Sequence, residues 1–173
     1  PGKYFYQRIN PLLNTAKVFL ADYMSPTYDS AEIMPAARTT LRVSQPKKDI
    51  LAYYHPPSGL AESSLYYFDI KTKEIRKVLT DVFGLSVLWN PQGEYYAYSS
   101  TNRDGYELAM RLGDDTGKTI DLRADLRAVT TVPEKCNFTP LGTRLYCAVY
   151  VDEVSADNLM PDDYYKEKLT LDE

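Results

Sequence analysis

The residue types most able to do chemistry stand in short, turn-like clusters. Gly113-Asp114-Asp115-Thr116-Gly117-Lys118-Thr119 has the composition of a phosphate loop. Such a loop needs four residues between its glycines, a strand before it and a helix after it. Here three residues separate the glycines, and Asp114 and Asp115 would repel phosphate. Both flanks read as strands, so a hairpin is expected. Ser100 to Gly105 carries part of a calcium loop, with Asn102, Asp104 and Gly105 in place. Ser100 and Arg111 stand where such a loop requires an aspartate and a bidentate glutamate. An Asp-Gly hairpin turn accounts for the stretch better. His55, the only histidine, has Ser58, Ser63 and Ser64 nearby, but no Gly-x-Ser-x-Gly elbow occurs in the chain. A solvated loop histidine is favoured over a nucleophile and base pair.

Asp162-Asp163 follow Pro161 and precede Tyr164-Tyr165-Lys166. That order fits the first turn of a short helix, with acids at its positive end, better than a catalytic carboxylate pair. Asn137-Phe138-Thr139 is a glycosylation sequon with Pro140 directly after it. Cys136 and Cys147 are the only cysteines. If Thr139 to Gly142 is the turn between them, Cys136 faces Leu145 and Cys147 lies diagonal to it. Diagonal partners suit a bridge poorly, so two buried thiols are expected ahead of a disulfide. Two thiols and one histidine do not make a zinc site. No catalytic residue, metal or cofactor is expected from these clusters.

The elements that position them read as strands. Asn90-Pro91-Gln92-Gly93, Asn102-Arg103-Asp104-Gly105 and Gly113 to Gly117 cut residues 85–122 into four runs rich in β-branched and aromatic residues. Upstream, Thr40–Ser44, Asp49–Tyr54, Ser64–Ile70 and Glu74–Leu79 read as four more strands. Gln45 to Lys48, His55 to Ser63 and Lys71 to Lys73 are their connections. Residues 1–39 are less regular. Lys3–Tyr6 could be a strand, Leu12–Leu20 reads as a short helix, and Ser25-Pro26-Thr27 as a breaker. Ser30–Arg38, with Pro35 inside it, reads as a loop or weak helix.

A repeat runs through the strand region. Trp89-Asn90-Pro91-Gln92-Gly93-Glu94-Tyr95-Tyr96-Ala97-Tyr98 aligns without a gap to Phe138 through Cys147, an offset of 49 (89 to 138). Val43 through Tyr53 is an earlier copy, with Asp49 against Glu94 at an offset of 45 (49 to 94). Four strands recurring at such a period are the signature of propeller blades.

These residues resemble the WD-repeat-like, TolB-type β-propeller repeat, in which an apolar strand ending in Trp is followed by Ser-Pro-Asp-Gly and an alternating strand. Trp89 to Gly93 is a good copy and Phe138 to Gly142 a degenerate one. Pro133-Glu134-Lys135-Cys136, Tyr146-Cys147-Ala148-Val149 and Pro161 to Lys166 are also similar to series in propellers of candidate-phylum bacteria. The resemblance covers about residues 40–168. It implies a mainly all-β chain, an incomplete or open β-propeller of four-stranded antiparallel blades after a short irregular or helical N-terminal segment. The expected division is 1–39, then repeats at about 40–80, 85–122 and an incomplete 132–173. A closed ring needs at least four blades, and roughly two and a half to three are counted here.

Composition narrows the partners. The net charge of −4, from 20 basic and 24 acidic residues, builds no field for nucleic acid. No run is long enough to span a membrane. Sixteen tyrosines against 5 Phe and 1 Trp suit strands with a wet face or an aromatic recognition surface. The chain starts at Pro1 rather than Met, which reads as a processed or trimmed product. The favoured reading is a non-catalytic scaffold on the outside of a bacterial cell. It would bind a protein, peptide or glycan through loop-tip residues Tyr54, His55, Asn102, Arg103, Asp104 and Tyr106. One alternative is the gating propeller portion of a larger serine peptidase. Another is a structural protein that self-associates through open sheet edges.

Overall fold

The computed structural model describes residues 3–22, 30–37, 41–121, 123–124, 127–128, 130–149 and 159–166. The chain divides into two compact units, Pro1–Arg42 and Val43–Glu173.

The first unit holds a three-stranded antiparallel sheet, β1 (Lys3–Asn10), β2 (Thr15–Asp22) and β3 (Ser30–Ala37), in that order. This corrects the helix expected at Leu12–Leu20. The apolar residues there fall into two groups with different jobs. Leu12 and Leu13 are exposed in a tight turn whose amides donate to Asn10 Oδ1, and Asn14 takes a left-handed φ of 47°. Ala16 and Val18 then alternate into the interior, the period of a strand. Ser30–Ala37 is likewise a strand rather than a loop or helix. It is an edge strand, and the pairing with β2 slips between Val18↔Met34 and Ala16↔Ala37, the interval that contains Pro35. A proline without an N–H is tolerated at such an edge irregularity. The breaker read at Ser25-Pro26-Thr27 lies outside the described residues.

The second unit opens with two antiparallel meanders of four strands each. The first is β4 (Arg42–Lys47), β5 (Ile50–Tyr54), β6 (Glu62–Asp69) and β7 (Ile75–Phe83), paired in chain order. The second is β8 (Val87–Trp89), β9 (Tyr95–Ser100), β10 (Ala109–Asp114) and β11 (Thr119–Asp121), also in chain order. Two short strands, β12 (Arg123–Ala124) and β13 (Arg127–Ala128), pair with each other. A 3-10 turn at Pro133–Lys135 leads into the hairpin β14 (Cys136–Phe138) and β15 (Leu145–Cys147). A single helical turn, α1 (Asp162–Tyr165), follows.

The turn expected at Gln45–Lys48 sits later. β4 runs through Pro46 to Lys47, and the chain reverses at Lys48-Asp49. Pro46 is accommodated because β4 is an edge of its sheet.

The main core lies where the two meanders face each other. Ala52, Tyr54, Leu65, Tyr67 and Leu79 of the first meet Leu85, Tyr96 and Tyr98 around the second. Trp89 is packed between Tyr67 and Tyr96, with ring centroids 5.6 and 4.8 Å away, and its Nε1 donates to Ser44 Oγ at 2.9 Å.

The turns are fixed by their own polar side chains. In the β10–β11 turn, Asp114 Oδ1 accepts from Thr116 Oγ1 at 2.6 Å, Thr116 N at 2.9 Å and Lys118 N at 3.0 Å. The Thr116 hydroxyl, helped by these amides, holds the Asp114 carboxyl below the usual aspartate range. A group whose native pKa is lowered adds stability above its unfolded value of about 3.9. That contribution is lost as pH falls through the native value. Asp114→Asn keeps an acceptor but loses the titration. Its urea midpoint should therefore fall less than the wild type's between pH of about 5 and about 2. Identical falls would show that the carboxylate bonds add nothing to the turn.

Candidate binding surface

Three stretches far apart in the sequence converge at one end of the meanders. The β5–β6 connection begins at His55, whose N–H donates to Ser63 Oγ at 3.1 Å. Further along, Ser58 O accepts from Gly84 N at 2.7 Å. The β9–β10 connection is a tight turn around Asn102. Its Oδ1 accepts the amides of Asp104 and Tyr106, and Gly105 closes the turn with φ +81°. This is the hairpin turn, and the Asn102 oxygen that a calcium loop would use is committed to backbone donors. Among the described residues no three metal-ligating side chains stand together.

The third stretch is Leu159–Lys166. Met160 N donates to Gly105 O at 2.8 Å, and the Met160 side chain is buried with Leu108 and Val132. Asp162 reaches back to the first loop. Its Oδ2 accepts Gly59 N at 2.6 Å, and its Oδ1 accepts the Ser58 hydroxyl at 3.2 Å. Asp163 Oδ2 accepts Leu159 N at 2.9 Å, which closes the helical turn on itself. The approach of the backbones is close enough to require glycine. A Cβ on Gly59 would lie 2.2 Å from Met160 O and 2.7 Å from Gly105 Cα. Beside this junction Glu134 Oε1 accepts from Ser86 Oγ at 2.6 Å and from the Tyr165 hydroxyl. Burial, then the neighbouring Glu134 charge, pushes the Tyr165 pKa up, so the phenol remains a neutral donor.

The nominated residues separate into two groups. Tyr54 is the last residue of β5 and only 7% exposed, and its hydroxyl accepts Val87 N at 3.2 Å. It belongs to the core and offers no loop tip. Tyr53 and Tyr54 are consecutive in β5, and nothing local says which of the two rings turns inward. His55, Arg103, Asp104 and Tyr106 are exposed, and Asn102 is half-buried beneath them. The backbones of their two loops come together at Gly59 and Gly105. Asp162, Ser58 and Glu134 are named in the sequence for other reasons, and their role in holding these segments together was not marked there. Asp162 and Ser58 are 104 residues apart, and no local pattern links them.

The cysteines correct the expected pair of thiols. Cys136 and Cys147 form a disulfide, with Cα atoms 4.0 Å apart. They are directly paired in the β14–β15 ladder, and Phe138 faces Leu145. The expected diagonal came from a four-residue turn. The connection is longer by two, because Thr139 N still donates to Arg144 O while Gly142 closes the inner turn on Thr139 O.

A cleft of about 470 Å³ lies between the second meander and this hairpin, with Leu112, Phe138 and Leu145 in its wall and Glu94 and Arg144 also on its lining.

No protein-family model and no curated protein sequence matches the chain. Among solved structures, the tricorn protease matches 91% of this chain at a TM-score of 0.55 and 14% identity, over 16% of its own length. The β-propeller domain of the Trilobed protease from Pyrococcus furiosus matches 70% of this chain at a TM-score of 0.49 and 17% identity, over 39% of its length. TolB from Acinetobacter baumannii matches 88% at a TM-score of 0.43 and 11% identity, over 48% of its length. The chain thus spans less than half the length of each of these structures. At these identities the likeness concerns fold alone, and the tricorn match carries it. The fold is mostly β, built on four-stranded antiparallel meanders, and is similar to part of the tricorn protease. No helix among the described residues is long and apolar enough to cross a membrane.

Proposed function

We propose that this chain is a propeller-type binding scaffold with no catalytic centre of its own. It holds a protein, peptide or glycan partner at the loop cluster of His55, Asn102, Arg103, Asp104 and Tyr106, outside the cytoplasm of a bacterial cell. The observation that carries this reading is the bracing of both loops by one segment. Asp162 grips Ser58 and Gly59 while Met160 grips Gly105. Loops fixed before binding lose less entropy when a partner arrives. Arginine and tyrosine at an exposed tip are the side chains that most often anchor an interface. The Cys136–Cys147 disulfide supports an oxidising compartment.

Peptide and glycan arrays probed with the intact chain test the reading, with Arg103→Ala/Tyr106→Ala as the control. Ligands retained by the wild type should be lost by the double variant, whose melting temperature should be unchanged because both side chains are exposed. Retention of every ligand by the variant would move the binding surface elsewhere.

A further inference from the structure

The β14–β15 hairpin repeats the first two strands of the second meander rung for rung. Cys136↔Cys147, Asn137↔Tyr146 and Phe138↔Leu145 match Val87↔Tyr98, Leu88↔Ala97 and Trp89↔Tyr96 at the offset of 49 (87 to 136). The two copies are held by different means. Tyr96, Ala97 and Tyr98 are buried, so packing fixes the rungs of the meander. Leu145 and Cys147 are only half-buried, and Tyr146 is 60% exposed. A hairpin of three rungs with so little burial is marginal in water. In it the rung equivalent to Val87↔Tyr98 is a covalent bond, Cys136–Cys147.

That bond closes directly beside the segment that supports the loop brace. Cys136 N donates to Pro133 O and ends the 3-10 turn at Pro133–Lys135. After the other cysteine, Ala148 N donates to Lys135 O at 3.0 Å, and Ala148 O accepts from Thr131 Oγ1 at 2.6 Å. Residues 131–135 carry the groups that meet Leu159–Lys166. Glu134 accepts the Tyr165 hydroxyl, Lys135 Nζ lies 5.8 Å from the centre of the Tyr164 ring, and Val132 is buried with Met160 and Leu108. Met160 and Asp162 then hold Gly105 and Gly59.

We propose that Cys136–Cys147 is a redox latch on the loop cluster, opened by a dithiol oxidoreductase. Both cysteines are half-buried rather than enclosed. One thiolate of the dithiol attacks a sulfur of the bridge. The S–S bond breaks, a mixed disulfide forms, and the other cysteine leaves as a thiolate that takes up a proton. The second thiol of the reductant then displaces the remaining protein sulfur. The chain gains two electrons and two protons as a pair of thiols, and the dithiol becomes a disulfide. Without the bond the three rungs open, and Glu134 and Val132 release Tyr165 and Met160. The brace on Gly59 and Gly105 loosens as a local unit. The core residues shared by the meanders, from Ala52 to Tyr98, all precede the hairpin and stay packed. The latch acts on the brace itself, so it does not depend on what the loops bind.

Amide hydrogen exchange on the intact chain tests this, before and after incubation with reduced thioredoxin, with alkylation to count the freed thiols. Reduction should speed exchange at Gly59 and Met160 by at least about tenfold, the scale expected when one cross-link is removed. Exchange in the β5–β6 ladder should change by less than about twofold. Reoxidation with oxidised glutathione should restore the slow rates. Cys136→Ser/Cys147→Ser should exchange fast at Gly59 and Met160 from the start and ignore thioredoxin. Cys136→Ala/Cys147→Ala serves if the serine pair folds poorly. Unchanged exchange at Gly59 and Met160 in the fully reduced chain would overturn the latch. So would equal acceleration in the β5–β6 ladder, since the bond would then staple the whole unit. A bond that reduced thioredoxin leaves closed in the folded chain would overturn it as well.

Discussion

Tyr96→Ala should destabilise the second unit by about 3 to 5 kcal/mol, the range for removing a fully buried aromatic side chain. Tyr96 is 0% exposed. Its ring touches Trp89 at 4.8 Å and Tyr98 at 5.8 Å, and its strand partners are Trp89 and Gly113. Neither neighbour can close the gap. Gly113 has no side chain, and Trp89 is held in place by Tyr67 and by Ser44. Tyr96→Phe should behave differently. The hydroxyl is buried and has no hydrogen-bond partner among the described residues. Burial pushes its pKa well above that of an ordinary phenol, so it stays a neutral group that gains nothing from its surroundings. Removing it should change stability by less than about 1 kcal/mol, or raise it, because an unpaired buried polar group is a cost. Urea unfolding of the three proteins separates the terms. An Ala variant within about 1 kcal/mol of wild type would mean that the meanders do not share a core. A Phe variant as damaged as Ala would mean that the hydroxyl is paired.

The second meander could be read from sequence because each of its turns is punctuated. Asn90 to Gly93, Asn102 to Gly105 and Asp114 to Lys118 combine side chains that bond their own backbone with glycines at positive φ. The N-terminal sheet could not be read in the same way. Its first turn is made by Leu12 and Leu13, which are 93% and 70% exposed and blur the period of the strand that follows. Register was the next weakness. The cysteine pairing depended on whether the turn was closed by Gly142 alone or also by Thr139 and Arg144, a difference of two residues that changes every partner. The site was least legible. His55 and Arg103 to Tyr106 stand out as loop residues, but their bracing by Asp162 is a contact across more than a hundred positions.

Gly93→Ala should cost about 2 to 5 kcal/mol, two penalties being combined at one site. The first is backbone. Gly93 has φ +68°, a conformation that a residue with a Cβ adopts only at a cost. The second is contact with the preceding repeat. A Cβ would stand 2.1 Å from Pro46 O and 2.6 Å from Pro46 C, backbone atoms that cannot rotate away. The same seat recurs one repeat on, where Gly142 (φ +67°) rests against the Gln92 and Asn90 side chains and Gln92 Nε2 donates to Pro140 O at 3.2 Å. The glycine of each turn therefore seats on the turn before it, and the recurring Pro and Gly of the sequence are an inter-sheet contact as well as a local reversal. Gly142→Ala shares the φ penalty but first meets the far end of the exposed Gln92 side chain, so its cost should be nearer the backbone part alone, about 1 to 3 kcal/mol. Thermal unfolding of the two variants measures the difference. A larger loss for Gly93→Ala assigns it to the Pro46 seat. Equal losses would reduce both glycines to turn formers and remove the stacked turns as a source of register between sheets.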